Sequence, residues 1–241
     1  MSTERCISQI DWSATGAMAQ GLGTLLGAIT VLVAAIIGAN TFSKWRKQKL
    51  AERRIEQAER ILTATYKVRR RLSFVRSPAM WANEIDSAEA RLKENGAWDS
   101  AVGKLEQKKL TTAQAYYSRI GAAKADREAL DECLPMARAL FGETLEQALE
   151  KLNRQFWTVQ VFVDANLRDR GNGDQAFRSK IDGAIWEGYP STEENEVDQE
   201  IKEQVHIIES VCVPVLRLEE PKSGDAKSRK SNSPAPSATP R

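Results

Sequence analysis

A single histidine, His206, occurs among the 241 residues, and that scarcity removes most imidazole chemistry at once. A serine or cysteine nucleophile needs a neighbouring base, and no Gly-x-Ser-x-Gly turn exists to present one. His206 follows Glu203 in a Glu-x-x-His pattern that a helix would place on one face, as in di-iron four-helix proteins. Those proteins use the pattern twice, so one histidine leaves an ordinary surface or partly buried side chain as the better reading. The three cysteines, Cys6, Cys133 and Cys212, show no Cys-x-x-Cys spacing and are too few for a disulfide framework. Cys133 and Cys212 sit among apolar neighbours, where a thiol behaves as a small hydrophobe.

Phosphate-cradling glycine loops are absent as well: there is neither Gly-x-x-x-x-Gly-Lys-[Ser/Thr] nor a Gly-x-Gly-x-x-Gly between strand and helix. The acidic run from Glu193 to Glu203 lacks the spacing that fixes oxygens around calcium, and reads as a solvated helix start capped by Ser191 or Thr192. Strand-like alternation is confined to VQVFV at 159–163 and VCVPVL at 211–216, both with helical neighbours.

One further absence is informative. From Trp12 to Ser43 no residue is charged, and within that window Leu22 to Phe42 reads LGTLLGAITVLVAAIIGANTF, matching the ~20 residues needed to span a hydrocarbon core. The flanks read as a retained membrane helix rather than a cleaved signal, because Arg5 is balanced by Glu4 and Asp11 and the apolar run is long. Lys44, Arg46 and Lys47 follow at once, and with Lys49 they predict a cytoplasmic C-terminal side. Trp12 and Trp45 bracket the segment where indoles favour the headgroup layer. Gly23, Gly27, Thr30, Ala34 and Gly38 recur at helical spacing, a small-residue face on which a second span would pack closely.

What is present beyond the span is charge, unevenly distributed. Lys44 to Arg76 holds 12 Lys or Arg against 3 Glu, Ser77 to Pro221 holds 17 against 27 Asp or Glu, and Lys222 to Arg241 holds 5 against one. A basic stalk therefore precedes an acidic head. Ala51, Ile55, Ala58, Leu62, Thr65, Leu72 and Val75 recur at heptad-like intervals, favouring packing against the head over a coiled coil. The first basic cluster suits anionic lipid, each cation being worth ~1 kcal/mol near a membrane surface. Lys67, Arg69, Arg70, Arg71 and Arg76 are open between lipid, nucleic acid, the acidic head and plain solvation.

Beyond Pro78, amphipathic helices are predicted around Asn83 to Glu94, Leu110 to Lys124, Arg127 to Leu140, Thr144 to Asp169, Asp174 to Trp186 and Glu196 to Leu216. Breaks or kinks fall at Asn95-Gly96, Gly121, Pro135, Gly142, Gly171-Asn172-Gly173 and Gly188-Tyr189-Pro190-Ser191. Trp157, Phe162, Phe177 and Trp186 are predicted core aromatics. The composition from Pro221 onward, Ser, Pro, Ala, Gly and charge, predicts a disordered tail.

The run WRKQKLAERRIEQAERILTATYKVRRRLSFVRSP directly after one span, with DECLPMARALFG and LNRQFWTVQV later, resembles bacterial inner-membrane proteins with one helix and a helical cytoplasmic domain. The resemblance implies that architecture and a bacterial inner membrane, and carries over no activity and no residue role.

The expected fold is all-α: a short extracytoplasmic N-terminus at 1–14, a transmembrane helix at 15–43, a basic helical stalk at 44–77, a cytoplasmic helical bundle at 78–220 and a disordered tail at 221–241. The expected function is non-enzymatic, a membrane-anchored interaction module that binds a cytoplasmic partner or itself. Gly23, Gly27, Ala34 and Gly38 are the candidate self-association residues, and Trp12, Lys44, Trp45, Arg46 and Lys47 the candidate interface anchors. Two alternatives remain at this level: a self-assembling effector that perturbs the bilayer, as in a defence setting, and an enzyme with a noncanonical acidic site. No cofactor or metal is expected, and the lipid bilayer, a homo-oligomer or a cytoplasmic protein ranks ahead of nucleic acid as a partner.

Overall fold

A computed structural model describes residues 12–98, 101, 103–169, 174–191 and 195–218. All regular structure among them is helical: α1 Trp12–Val75, α2 Ala82–Glu94, α3 Lys104–Ala122, α4 Lys124–Asp131, α5 Leu134–Phe141, α6 Glu143–Arg168, α7 Gln175–Ile185 and α8 Glu196–Leu216. The tail at 221–241 and the N-terminus up to residue 11 lie outside the described residues, as does Cys6. The chain divides into two compact units, residues 1–53 and 54–241, and α1 contributes residues to both.

The first unit holds the uncharged part of α1. The segment beginning at Leu26 contains an 18-residue stretch of mean hydropathy 1.8, none of it buried, so α1 is long and apolar enough to cross a membrane. Three of its threonine hydroxyls are satisfied within the helix: Thr24 donates to the Gln20 carbonyl at 2.9 Å, and Thr30 and Thr41 donate to those of Leu26 and Ile37 at 2.8 Å. Polar groups bonded in this way lose little when water is removed from the helix surface. At the end of the apolar run Phe42 stacks on Trp45 with ring centroids 5.8 Å apart.

In the second unit α1 changes character. Ala58, Ile61, Leu62, Ala64, Thr65, Val68, Leu72 and Val75 are buried, a stripe set by spacings that return to one face of a 3.6-residue helix. Ala51 is exposed and Ile55 half-buried, so the apolar stripe becomes core only from Ala58. The centre of the unit is α6, which packs against α3, α4, α5, α7 and α8 and buries Leu145, Leu149, Leu152, Phe156, Val159 and Val163. VQVFV and VCVPVL lie within α6 and α8.

Two expectations need correction. The helix expected over Arg127 to Leu140 is two helices, α4 and α5, because Pro135 has no N–H to continue the ladder and instead occupies the first turn of α5. Trp157 and Phe177 are not core aromatics but are 61% and 47% exposed, whereas Phe162 and Trp186 pack partly buried against the core. Adjacent residues on a helix point roughly 100° apart, so only one of Phe156 and Trp157 can face inward, and the stripe through Leu149, Leu152 and Val159 selects Phe156.

Candidate functional site

The densest polar constellation in the second unit is built around Arg76, which is 1% exposed. It stands just beyond the last turn of α1, where its guanidinium meets the end of α7 and the start of α8. Nε donates to the Ala184 carbonyl at 2.9 Å, and Nη2 to the carbonyls of Gly183 at 2.9 Å and Trp186 at 3.2 Å and to Asn195 Oδ1 at 3.2 Å. Nη1 donates to Asp198 Oδ1 in an ion pair. The chemistry is that of a helix end: the last carbonyls of α7 have no partner within the helix, and one planar five-donor fork supplies several of them.

The counterion is fixed just as firmly. Asp198 Oδ2 accepts from the Gly188 amide at 2.9 Å and from Asn195 Nδ2 at 2.6 Å. Asn195 Oδ1 accepts from the Asp198 amide at 2.8 Å, making Asn195 the N-cap of α8. This corrects the expected cap: Ser191 stands four residues before the first capped turn, and Thr192 lies outside the described residues. Gly183 is needed here, since a Cβ on it would meet the Tyr189 carbonyl at 3.3 Å and the Asn195 Cβ at 3.4 Å.

A second arginine clamps the bend that follows α1. Arg119 of α3, 4% exposed, binds Glu84 through Nε at 2.9 Å and Nη2 at 2.8 Å, and donates to the carbonyls of Ser77 at 2.8 Å and Ala79 at 2.6 Å. Its guanidinium lies 4.9 Å from the Phe74 ring centroid. Hydrogen bonding from Arg119 holds the Glu84 carboxyl below its ordinary range, against a smaller upward push from burial.

Beside the Arg76–Asp198 pair a groove of about 510 Å³ opens, walled by Tyr66, Arg69, Arg70 and Ser73 of α1 and by Ile201 and Lys202 of α8, with Glu187 at its edge. Tyr66 donates to Glu209 Oε1 at 2.8 Å and Ser73 donates to Glu187. Arg70 also borders a second concavity with Lys67, Arg71, Phe74 and Asp126, where Arg71 is paired with Asp126 at 2.7 Å. The five cations left open by the sequence are thereby sorted. Arg71 and Arg76 are paired with the acidic head, whereas Lys67, Arg69 and Arg70 are exposed and form no ion pair among the described residues.

The other candidate residues fall elsewhere. Gly27, Ala34 and Gly38 lie exposed on α1 in the first unit, and a Cβ at Gly27 or Gly38 would meet nothing within 4 Å. Gly23 and Trp12 are in α1, but their side-chain surroundings lie outside the described residues. Lys44, Trp45, Arg46 and Lys47 are exposed on the same helix. Glu203 and His206 are both exposed on α8, and no group of three or more metal-ligating side chains occurs among the described residues. Cys133 and Cys212 are buried in the core, where burial pushes the Cys212 thiol up to about 12 with a smaller contribution from Cys133.

The fold thus defines an all-helical protein with one long, apolar, exposed N-terminal helix segment. Comparison with protein-family models, curated proteins and solved structures returns no match.

Proposed function

We propose that this chain is a single-span protein of a bacterial inner membrane, with its N-terminus outside and its helical unit in the cytoplasm, acting as a non-catalytic module that binds a cytoplasmic protein or a second copy of itself. The observation that carries the reading is the apolar run on α1: Leu26, Val31, Leu32, Ile36 and Ile37 are 60–69% exposed and point all round the helix, a surface whose contact with water is costly and whose contact with lipid is not. The cluster Lys44, Arg46 and Lys47 at the end of that run supports the orientation, and Trp45 supports an interface position. The open backbone at Gly27 and Gly38 supports self-association as the rival to a foreign partner.

Membrane fractionation tests the anchor. The full chain is expected to stay with membranes through alkaline carbonate and to leave only with detergent; quantitative recovery in the carbonate supernatant overturns the reading. Affinity purification in mild detergent followed by mass photometry then separates the two kinds of partner. A stoichiometric second protein marks an adaptor, and a homo-oligomer marks a self-assembling membrane effector.

A further inference from the structure

Just past its apolar run, α1 carries a collar of charge that the fold does not consume. Between Lys44 and Arg53 stand five cations, Lys44, Arg46, Lys47, Lys49 and Arg53, against one carboxylate, Glu52, a net charge of +4. All six side chains are exposed and belong to the first unit. Glu52 is occupied by Lys49 at 2.7 Å and by Gln48 at 3.2 Å. Lys44, Arg46, Lys47 and Arg53 form no ion pair among the described residues. At about 100° per residue these four do not share a face: Arg46 and Arg53 lie on one side, Lys44 on the opposite one, and Lys47 between them. Cations so placed cannot converge on one small ligand, whereas a lipid leaflet surrounds the helix and meets all of them.

Their height along the axis fits the same partner. Phe42 stacks on Trp45 where the uncharged stretch ends, and an indole there favours the headgroup layer. Lys44, Arg46 and Lys47 fall within about 5 Å of one another along the axis, close to the ~5–7 Å of headgroup on each side of a bilayer. Arg53 stands about 9 Å beyond Lys47, within the ~8–10 Å over which exposed charges still act. Trp45 and Leu50, each 52% exposed, line a concavity of about 530 Å³ together with Arg46, Lys47, Lys49 and Arg53. A soluble anion would meet the charges and leave those two apolar side chains in water. A phospholipid meets both, because its phosphate ester is joined directly to acyl chains. We infer that the collar of Lys44, Arg46, Lys47 and Arg53 gathers anionic phospholipid around α1 in preference to zwitterionic lipid, with Trp45 and Leu50 against the apolar side of the headgroups. The inference rests on the membrane span proposed above and adds the lipid class that the span selects.

Electron spin resonance of the full chain in phosphatidylcholine bilayers, with trace spin-labelled phosphatidylglycerol or spin-labelled phosphatidylcholine, reads the lipid held against the protein. Phosphatidylglycerol is expected to associate about twofold or more in excess of phosphatidylcholine, since each cation near an anionic surface favours it. That excess is expected to fall toward parity in ~1 M salt, where screening acts over ~3 Å. The triple substitution Arg46→Gln, Lys47→Gln and Arg53→Gln, at exposed positions where glutamine is an equally good helix former, is expected to bring the ratio toward parity. Glu52→Gln, which releases Lys49, is expected to raise it. Parity in the parent chain, an excess indifferent to salt, or an excess that survives the triple substitution overturns the inference and leaves the span standing. A chain that holds neither lipid overturns the span itself, and the inference with it.

Discussion

Arg76 shows how much of this fold rests on single polar side chains. A buried guanidinium is tolerable only when its donors are met, and here they reach α7 carbonyls, Asn195 and Asp198 together. Arg76→Met is expected to destabilise by about 3–5 kcal/mol, because Asp198 and several helix-end carbonyls lose their partner together. Arg76→Lys is expected to recover little of that loss, since a point charge cannot span three carbonyls and two side chains. Thermal unfolding of both variants checks this, with Thr65→Val as the control. The Thr65 hydroxyl is buried without a partner, so replacing it by a methyl group is expected to leave stability unchanged or raised by about 1 kcal/mol.

At the scale of elements, the breaks follow from local chemistry that the sequence displays. Pro135 separates α4 from α5, and Gly142 separates α5 from α6 at φ 101° and ψ 176°. That conformation belongs essentially to glycine, so Gly142→Ala is expected to cost roughly 1–3 kcal/mol even though no neighbouring atom crowds the new methyl group. Gly121, which lies in α3 with open space around it, is the matched control: Gly121→Ala is expected to stabilise by roughly 0.5–1 kcal/mol. Chemical denaturation of the two variants separates backbone strain from packing. The helical periods of α6 and α8 were legible in the sequence for the same reason, since local propensity and one-sided hydrophobicity agree there. The same period identifies Phe156 rather than Trp157 as the inward aromatic, since Phe156 continues the stripe through Leu149, Leu152 and Val159, and the expectation of a buried Trp157 overlooked it.

For the whole molecule, acids buried fully or in part shape the response to pH. Burial, followed by the hydrogen bond to Asp164, pushes the Tyr117 hydroxyl up to about 12 from an ordinary 10.0, and burial pushes the Cys212 thiol up to about 12 from 9.0. Both groups bind their proton more tightly when folded. Their contribution to stability is therefore complete below the ordinary values and is lost as pH rises through the folded values. Glu84 has the opposite sign: its lowered value stabilises the fold above its ordinary 4.5 and ceases to do so as pH falls through the folded value. Denaturation midpoints are expected to be level across neutral pH and to decline from about pH 9 to 12, with Tyr117→Phe flattening the upper part of that decline.

Helical class, the apolar run and the segregation of charge are properties of residues close together in the chain, and the sequence determines them because periodicity and composition act locally. The candidate groove was not visible at that level. Three of its cations, Arg69, Arg70 and Arg76, stand in a basic segment with Lys67 and Arg71, in which Arg71 and Arg76 look no different from the other three. Only the tertiary structure brings Asp126 to Arg71 and Asp198 to Arg76, across 55 and 122 residues, and leaves the others facing solvent. The pairing of the buried Arg76 was decided by the packing of α1 against distant helices, because a charge removed from water must find its counterion wherever the chain has carried it.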